Sequence, residues 1–410
     1  MSASPSAETQ AVIDAGQQAF LKNYAPAPVV IDRGEGARVY DKDGNEFIDF
    51  GAGISVSSLG HQDPELVAAA QEQLNKLWHV SNLYWTEPTA RLCEELAATC
   101  FAERVFLCNS GAEANEAAIK LARKWASATR PPEKREIITF EGGFHGRTLA
   151  TVTATAQPKY HEGFEPLPGG FTYVPFNDFD AIANAMSERT CAVMVEPVQG
   201  EGGIHPATDG FMQHLRKLCD EHDALLIVDE IQSGMGRTGK LYAHEWSGVE
   251  PDIMTLAKAL GGGLPIGAML AGPKVSDVLQ LGSHGSTFGG NPVACAVARV
   301  VLRRMCDPKL MTRVQELGER VAKRLREFGE SRQLFAEVRN AGLLVGAELR
   351  APFAGKAGAV GAAGANHGLL VLVAGPDVVR LLPPLTITDE ELEAGMTRLE
   401  TSLEEMIAAD

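Results

Sequence analysis

The sequence predicts an α/β protein in which a mostly parallel sheet is joined to a smaller α+β domain. Between residues 61 and 292, short apolar runs bounded by polar residues or glycine alternate with amphipathic helical patterns. Such runs are typical of strands buried on both faces, and their alternation with helices is typical of a parallel sheet covered by helices. The composition agrees, because 45% of the 410 residues are hydrophobic, which suffices for a large core and more than one domain.

An N-terminal segment, residues 1–60, is predicted to consist of extended chain and short strands. Within it, Arg38–Tyr40 and Phe47–Phe50 are separated by the polar, glycine-containing stretch Asp41–Asn45. Two apolar runs joined by such turn residues are the pattern of a β-hairpin.

A large domain, residues 61–292, is predicted to hold the alternating helices and buried strands. Helical periodicity covers Glu65–Leu77, Thr89–Thr99, Glu116–Ala126 and Gly210–His222. The apolar runs that predict strands are Val105–Leu107, Ile137–Phe140, Ala192–Val195 and Leu225–Val228.

A C-terminal small domain, residues 293–410, is predicted from a change in this pattern. Its helical patterns are Val293–Met305 and Lys309–Phe328, and its short strands are Leu343–Leu349 and Leu369–Val373. A closing helix is expected to begin at Thr388, because Glu391 stands at the capping-box spacing. The stretch Ala354–Gly368 is rich in glycine and alanine, and its pattern fits either a frayed helix or a mobile loop.

The charge and the cysteines exclude several classes of protein. With 37 Lys and Arg against 53 Asp and Glu, the chain has a formal charge of −16 and no basic stripe, which argues against nucleic-acid binding. The seven cysteines are scattered without a C-x-x-C pair, so neither a zinc site nor a redox dithiol is indicated. Because we find neither a secretory signal pattern nor an apolar stretch long enough to span a bilayer, we expect a cytoplasmic protein without a membrane partner.

Several familiar motifs are only partly matched. Gly234–Lys240 resembles a phosphate-binding nucleotide loop, but Leu241 stands where a metal-binding hydroxyl is required. The clusters Gly200–Gly203 and Gly261–Gly263 lack the spacing of a dinucleotide site, and neither a metalloprotease nor a serine-hydrolase motif is present. Nucleotide hydrolases, dehydrogenases, metalloenzymes and serine hydrolases therefore lose support, and no metal is expected.

Four other pieces fit one another. Asn109–Glu116 follows a predicted strand and opens a helix, where backbone N–H groups and the helix dipole favour a phosphate. Asp229 stands at the carboxyl end of an apolar strand, where α/β sheets bind ligands. Lys258 lies among small and apolar residues, which favours a nucleophilic amine, and Ser286–Pro292 is a glycine-rich loop with two hydroxyl groups. Taken singly, the first piece fits a capped turn better and Lys258 fits a surface lysine better, whereas Asp229 fits an ion pair equally well and the last piece fits a plain turn.

Taken together, a phosphate site, a carboxylate and a partly desolvated lysine are what pyridoxal 5'-phosphate requires. The amine of Lys258 would bind the cofactor covalently. The carboxylate of Asp229 would keep the pyridine nitrogen protonated, so that the ring withdraws electrons from the substrate.

The chain resembles the class III (subgroup II) aminotransferases of fold type I, and within them the bacterial N-acetylornithine/succinylornithine branch. The resemblance runs in order from about Asn23 to the last helix. The matching segments are Asn23–Pro26, Ile48–Phe50, Leu59–His61, Asn109–Glu116, Phe144–Thr148, Glu196–Gly203, Asp229–Gly239, Ala257–Gly263, His284–Pro292 and Gly375–Arg380. It implies a pyridoxal phosphate-dependent transferase fold whose large domain contains a mostly parallel seven-stranded sheet, and a homodimer with shared active sites.

The resemblance also implies roles at the cofactor ring. Lys258 would bind the cofactor and then move a proton between the substrate and the cofactor. Asp229 would pair with the ring nitrogen, Gln232 would hydrogen-bond the phenolic oxygen, and Phe144 would stack on the ring face.

At the phosphate, Gly111 and Ala112 would provide backbone N–H groups. Thr287 would complete this site from the other subunit of the dimer. Ser286, beside it in sequence, would lie close to the substrate.

Two arginines would recognise the substrates. Arg147 resembles the family's ligand for the carboxylate of the acylated ornithine, and Arg380 resembles its ligand for the α-carboxylate of glutamate. Glu201 would pair with Arg380 while the acylornithine amine reacts, and would swing away for glutamate. Charge-assisted hydrogen bonds of this kind are each worth roughly 1.5–3 kcal/mol.

The reaction implied is transfer of the δ-amino group of N2-acetyl-L-ornithine to 2-oxoglutarate, giving N-acetyl-L-glutamate 5-semialdehyde and L-glutamate in arginine biosynthesis. Succinylornithine in arginine catabolism is the nearest alternative, and Trp85, which is bulky for the expected substrate entrance, leaves the acyl preference open. Ornithine and 4-aminobutyrate aminotransferases come next, although Gly53–Val56 lacks the aromatic residue expected for a free α-amino acid end. A non-catalytic binding protein is disfavoured because Lys258, Asp229 and both arginines are present.

Overall fold

The computed structural model describes residues 5–409. Its helices are α1 (Ala7–Ala19), α2 (Ala52–Ser55), α3 (Pro64–Leu74), α4 (Glu87–Ala98), α5 (Gly111–Thr129), α6 (Leu149–Ala154), α7 (Phe179–Ala185), α8 (Phe211–Glu221), α9 (Pro292–Met305), α10 (Pro308–Glu330), α11 (Ala357–Asn366) and α12 (Asp389–Ala408). Short 3₁₀ turns lie at Ser81–Leu83, Pro158–Tyr160, Ala243–Trp246 and Lys258–Gly261. None of the helices in this part of the chain combines the length and apolarity needed to cross a membrane.

The strands follow the same chain order. They are β1 (Ile31–Glu35), β2 (Arg38–Asp41), β3 (Glu46–Asp49), β4 (Arg104–Cys108), β5 (Glu136–Phe140), β6 (Phe171–Val174), β7 (Thr190–Val195), β8 (Val198–Gln199), β9 (His205–Pro206), β10 (Leu225–Asp229), β11 (Ile253–Leu256), β12 (Gly267–Ala271), β13 (Phe335–Ala341), β14 (Leu344–Leu349), β15 (Leu369–Leu370), β16 (Leu372–Ala374) and β17 (Val378–Leu381).

The contacts divide the described residues into two compact units. The larger unit takes in residues 64–318 and 340–344. The smaller unit takes in residues 5–63, 319–339 and 345–409. The division into an N-terminal segment, a large domain and a C-terminal small domain at residues 60 and 292 stays a prediction.

A seven-stranded sheet forms the centre of the larger unit, as predicted. Its strand order is β4-β12-β11-β10-β7-β5-β6. β12 runs antiparallel to its neighbours β4 and β11, whereas β11, β10, β7, β5 and β6 pair in parallel. Every residue of β7 and β10 is buried, which explains why these strands read as continuous apolar runs.

The two faces of this sheet carry separate hydrophobic clusters. Ile227 of β10 belongs to the cluster that includes Leu121 and Trp125 of α5. Val228, the next residue, belongs to the cluster that includes Phe211 and other residues of α8. Because successive side chains of a strand point to opposite faces, Asp229 is directed to the same face as Ile227, towards α5.

The smaller unit contains two four-stranded sheets, ordered β1-β2-β3-β15 and β13-β14-β17-β16. The predicted hairpin is confirmed, since β2 and β3 pair antiparallel. The predicted start of the closing helix is also confirmed, because the Thr388 hydroxyl accepts a hydrogen bond from the Glu391 amide at 3.2 Å while the Glu391 carboxylate accepts one from the Thr388 amide at 3.0 Å. The glycine- and alanine-rich stretch forms a helix, α11.

The prediction that the first segment contains only extended chain and strands is wrong. Helix α1 lies there, capped by the Ser6 hydroxyl, which accepts a hydrogen bond from the Thr9 amide at 3.2 Å. Thr9 is its one buried residue, so the helix has no core-facing apolar periodicity by which sequence could reveal it. α2 is a single left-handed turn, with φ angles of 44° to 65° from Ala52 to Ser55, a conformation that periodicity cannot predict.

Candidate active site

A buried aspartate lies at the carboxyl end of the central strand β10. Asp229 is 3% exposed. Its Oδ2 accepts hydrogen bonds from Asn115 Nδ2 at 2.7 Å and from His145 Nδ1 at 2.8 Å, and its Oδ1 accepts one from the Ile231 amide at 3.0 Å. An ionised carboxylate can be buried in this way because each oxygen has a donor.

The surroundings of the imidazole beside Asp229 raise its pKa. Burial alone would lower the pKa of His145, but the hydrogen bond and the charge of Asp229, together with the charge of Glu196, outweigh it and raise the pKa. The backbone amide of His145 donates to the Thr155 hydroxyl at 2.8 Å, which fixes the loop that carries the ring.

Asn115 connects four elements around this carboxylate. Besides Asp229, its Nδ2 donates to the His145 carbonyl at 2.7 Å, and its Oδ1 accepts a hydrogen bond from the Thr255 hydroxyl at 2.7 Å. Thr255 lies directly opposite Asp229 in the β10–β11 register. The network therefore fixes α5, the loop after β5 and two central strands relative to one another.

The donor set at Asp229 fits the pyridinium nitrogen of the cofactor. A carboxylate offers about four lone-pair positions, so its three donors leave it able to accept one further N–H group. The charge also fits, because a carboxylate stabilises a protonated ring nitrogen.

The predicted phosphate site lies at the beginning of α5, a helix of 19 residues. Ser110 caps it, since its hydroxyl accepts a hydrogen bond from the Glu113 amide at 3.2 Å. Gly111 is packed so closely that a Cβ atom there would lie 2.8 Å from Ile231 Cδ1. Larger residues would push this backbone away from the strand-end crevice, so the glycine suits an N-terminus that presents its amides to a phosphate.

Two segments that the sequence analysis identified separately, Asn109–Glu116 and Ser286–Pro292, contact each other at the start of this helix. Asn109 Nδ2 donates to Ser286 Oγ at 3.1 Å. Ser286 Oγ also accepts a hydrogen bond from the Gly289 amide at 3.0 Å, which closes the glycine-rich loop on itself. Thr287 is exposed on this loop. Ala112 lies against the loop after β5, because a Cβ atom at Gly146 would be 2.9 Å from Ala112 Cβ.

Lys258 begins the 3₁₀ turn that follows β11. β11 pairs with β10, so Lys258 and Asp229 follow neighbouring strand ends. Its φ of 44° places a non-glycine residue in the left-handed region, which costs on the order of 1–3 kcal/mol. Backbone strain of this kind concentrates at functional sites, and here it favours a functional role for the lysine.

A group of aromatic and cationic side chains surrounds Phe144. The ring of Phe144 packs edge-on against that of Tyr160, with centroids 5.9 Å apart. The Arg147 guanidinium lies 4.2 Å from the Tyr160 centroid and 5.4 Å from that of Phe144. Arg147 is exposed and is therefore positioned by cation–π contacts, with its hydrogen-bonding edge suited to a carboxylate.

The remaining predicted residues fall in two places. Gln232 Nε2 donates to Glu201 Oε1 at 3.3 Å in the larger unit, and Gly200 packs directly on the Gln232 amide. Arg380 lies in β17 of the smaller unit, 3% exposed, between Gly346 and Leu372 of the neighbouring strands. The roles assigned to Arg380, Glu201 and the other site residues stay predictions.

Sequence reasoning missed several residues of this site. Asn115 and His145 lie inside segments that carry the family resemblance but were given no role, and Glu196 and Tyr160 were not singled out. Asn115 could have been found, since it is a polar residue on the face of α5 that also contains Ala114, Ala117 and Ala118. We see no sequence signal for Tyr160.

Comparison with known proteins decides the family. Residues 19–403 match the family described as aminotransferase class-III. The chain belongs to this family. The acetylornithine aminotransferase of Xanthomonas axonopodis pv. citri is 57% identical over 392 residues, which cover 95% of this chain and 96% of that protein.

Solved structures agree with the family. The N-acetylornithine aminotransferase of Stenotrophomonas maltophilia is 50% identical to this aminotransferase, with a TM-score of 0.86 and coverage of 97% of this chain and 100% of that one. A structure of the ornithine aminotransferase of Toxoplasma gondii, described with partial occupancy of PLP at its active site, is 37% identical, with a TM-score of 0.94 and coverage of 98% and 95%. The predictions of a fold type I transferase and of a pyridoxal phosphate-dependent transaminase are confirmed.

Proposed function

We propose that this aminotransferase transfers the δ-amino group of N2-acetyl-L-ornithine to 2-oxoglutarate, giving N-acetyl-L-glutamate 5-semialdehyde and L-glutamate. The observation that carries the proposal is the 57% identity, over 95% of the chain, to a protein named acetylornithine aminotransferase. The corresponding place in metabolism is arginine biosynthesis, in the cytoplasm.

Pyridoxal 5'-phosphate, when bound, supplies an electron-withdrawing ring that stabilises negative charge on the substrate carbon. Lys258 would hold it covalently, Asp229 would face its ring nitrogen, and the amides of Gly111 and Ala112 would bind its phosphate. Phe144 and Gln232 would contact the ring. The capacity of Asp229 for one more donor and the close backbone approach at Gly111 support this assignment.

Lys258 would also move the proton. Its Nζ would accept the proton of the substrate carbon and return it to the neighbouring position. An amine on a flexible side chain suits this role, because a general base must lie within hydrogen-bond reach of the proton that it moves. Asn115 and His145 would keep Asp229 oriented through their hydrogen bonds.

Two carboxylate-bearing substrates must use one site in turn. We assign Arg147 to the carboxylate of acetylornithine and Arg380 to the α-carboxylate of glutamate, with Glu201 as the alternative partner of Arg380 and Ser286 close to the substrate. The cation–π support of Arg147 by Tyr160 favours this, since it leaves the guanidinium edge for a planar carboxylate.

A homodimer is part of the proposal. Thr287 is exposed, and Asn82 holds its loop by donating to the carbonyls of Ser286 at 2.9 Å and Gly289 at 3.0 Å. Directly after Asn82 come three large exposed residues, of which Trp85 is 96% exposed. Exposed apolar groups of this size are typical of association surfaces, which supports a second copy of the chain here. Sedimentation or light scattering would give twice the chain mass.

Visible absorption of the cofactor-loaded protein tests the reaction. N2-acetyl-L-ornithine, added without a keto acid, should bleach the cofactor band, and 2-oxoglutarate should restore it. If succinylornithine, ornithine or 4-aminobutyrate bleaches the band faster than acetylornithine does, that donor would be the substrate instead. A band untouched by all four donors would contradict the proposed function.

A further inference from the structure

A second buried carboxylate lies beside the Asp229–His145 pair. Glu196 follows β7 and is 6% exposed. Its Oε1 accepts a hydrogen bond from the Phe144 amide at 2.8 Å, and its Oε2 accepts one from the Gly200 amide at 3.2 Å. One side chain thus connects the loop after β5 with the segment after β8.

These two segments carry three of the predicted site residues. The loop after β5 bears Phe144 and Arg147, and the segment after β8 bears Glu201. Both amides belong to irregular backbone, so no strand or helix partner would replace Glu196 if its carboxylate were removed. Glu196 therefore helps to set the position of Phe144 relative to Glu201, together with Gln199, whose Nε2 donates to the Glu141 carbonyl at 2.9 Å.

Glu196 also lies close to the imidazole of His145. A Cβ atom placed on Gly143 would be 3.5 Å from His145 Nε2 and 3.7 Å from Glu196 Oε1. Both side chains therefore lie next to Gly143. Burial raises the pKa of Glu196 to about 7, the charge of Asp229 adds to this, and His145 and the two amides act in the opposite direction. The imidazole of His145 thus contacts one carboxylate, Asp229, at Nδ1, and a second carboxylate, Glu196, lies nearby.

We propose that Glu196 is a positioning residue of the transaminase site. Its carboxylate fixes the loop of Phe144 to the segment of Glu201, and in its ionised form its charge favours the proton on the neighbouring His145. The inference rests on the proposed cofactor site, and it does not depend on which amino donor is the substrate.

Two variants separate the connection from the charge. Glu196→Gln keeps the length but loses the charge, and its amide can accept only one of the two N–H bonds in the original geometry. Glu196→Asp keeps the charge but is one methylene too short to reach both amides. The matched control is Glu230→Gln, which removes another buried glutamate that accepts hydrogen bonds from the Ser233 hydroxyl at 2.7 Å and the His244 amide at 2.7 Å.

The charge is tested by nuclear magnetic resonance of histidine-labelled, full-length protein without substrate, titrated on both sides of pH 7. In Glu196→Gln the proton affinity of His145 above pH 7 should fall by about tenfold or more, since the charge of a neighbouring buried carboxylate has been removed. Glu196→Asp and Glu230→Gln should leave the pKa of His145 near that of the wild type. An unchanged pKa in Glu196→Gln, or an equal fall in Glu230→Gln, would overturn the role of the charge.

The connection is tested by amide hydrogen exchange of segments 142–147 and 199–204. Exchange should be faster in both Glu196 variants and unchanged in Glu230→Gln. If the amides of both segments in Glu196→Asp exchange as slowly as in the wild type, the carboxylate of Glu196 does not hold the two segments together. If Glu196→Gln does not fold, Glu196→Asp carries the test alone. Neither readout uses an amino donor, so failure of the proposed reaction would be seen separately, as a cofactor band that acetylornithine does not bleach.

Discussion

Two buried histidine–carboxylate pairs lie side by side in the larger unit, and only one of them belongs to the candidate active site. His145 Nδ1 lies 2.8 Å from Asp229, and His244 Nδ1 lies 3.1 Å from Glu230. Asp229 and Glu230 are consecutive residues and both are almost fully buried. Their chemistry is therefore nearly the same.

The difference lies in what surrounds each pair. Asp229 contacts Asn115 at the helix whose N-terminus is suited to phosphate, and it lies beside the strand end that leads to Lys258. Glu230 accepts its hydrogen bonds from Ser233 and from the turn Ala243–Trp246, which connect segments of the fold. A buried histidine–carboxylate pair thus does not mark an active site unless the elements around it also provide the other groups of the reaction.

The largest effect is expected when the amine beside the first pair is removed. Lys258→Ala should lower kcat by about 10³-fold or more, because both the attachment of the cofactor and the proton transfer are lost. Single-turnover absorption with acetylornithine measures this. A loss of only a few-fold would place the reacting amine elsewhere. As a control, Lys240→Ala, which removes a half-buried lysine of the same unit, should have no effect on turnover.

Exchanging the two carboxylates for amides tests the comparison directly. Asp229→Asn should lower kcat by about 10²–10³-fold, because the negative charge that stabilises a protonated ring nitrogen is gone. Glu230→Gln should leave kcat within a few-fold but lower the stability by about 1–3 kcal/mol, because buried donors lose their partner. Steady-state kinetics and thermal unfolding on both variants provide the measurements. Equal losses of kcat in the two variants would contradict the claim that only the Asp229–His145 pair belongs to the active site.

Arg380 is a buried charged residue that belongs to neither histidine–carboxylate pair. Arg380→Lys should slow the glutamate half-reaction by about 10- to 100-fold, because the bidentate contact to an α-carboxylate is lost. The acetylornithine half-reaction should change less, since Arg147 is assigned to that substrate. Rapid mixing with each amino donor alone separates the two half-reactions, and equal losses in both would refute the exchange of Arg380 between glutamate and Glu201.

The smallest effect concerns the pH dependence of stability. Burial raises the pKa of Glu196 to about 7, so the folded protein binds a proton that the unfolded chain releases near its ordinary, lower pKa. The stability that this proton contributes is present at low pH and is lost as the pH rises towards 7. Glu196→Gln should therefore gain stability relative to the wild type between pH 5 and 7, by at least about 1 kcal/mol. Denaturant unfolding of both proteins at pH 5 and at pH 7 measures the difference in stability. A stability difference that is the same at both pH values would contradict the raised pKa of Glu196.

Regular periodicity explains which parts of the fold could be predicted. The strands β5, β7 and β10 and the helices α5 and α8 were found within a few residues of their bounds, because they are buried on both faces or on one continuous stripe. Helix α1 and the left-handed turn at Ala52–Ser55 were not found. The first is exposed nearly all around, and the second depends on backbone angles that side-chain patterns do not report.

For the site, the sequence by itself determined the chemical types of the groups and their places at strand and helix ends. Asp229 after an apolar strand, a glycine at the start of a helix and Lys258 after a further strand are local patterns, and the family follows from them. Only the tertiary structure decided which polar groups meet: Asn115 and His145 on Asp229, Tyr160 under Arg147, and Glu196 between two loops. Asn115 and Asp229 are 114 positions apart in the chain, and Phe144 and Glu196 are 52 apart. Such contacts form because sheet register and helix packing bring distant segments together. No local sequence pattern can specify such a distance.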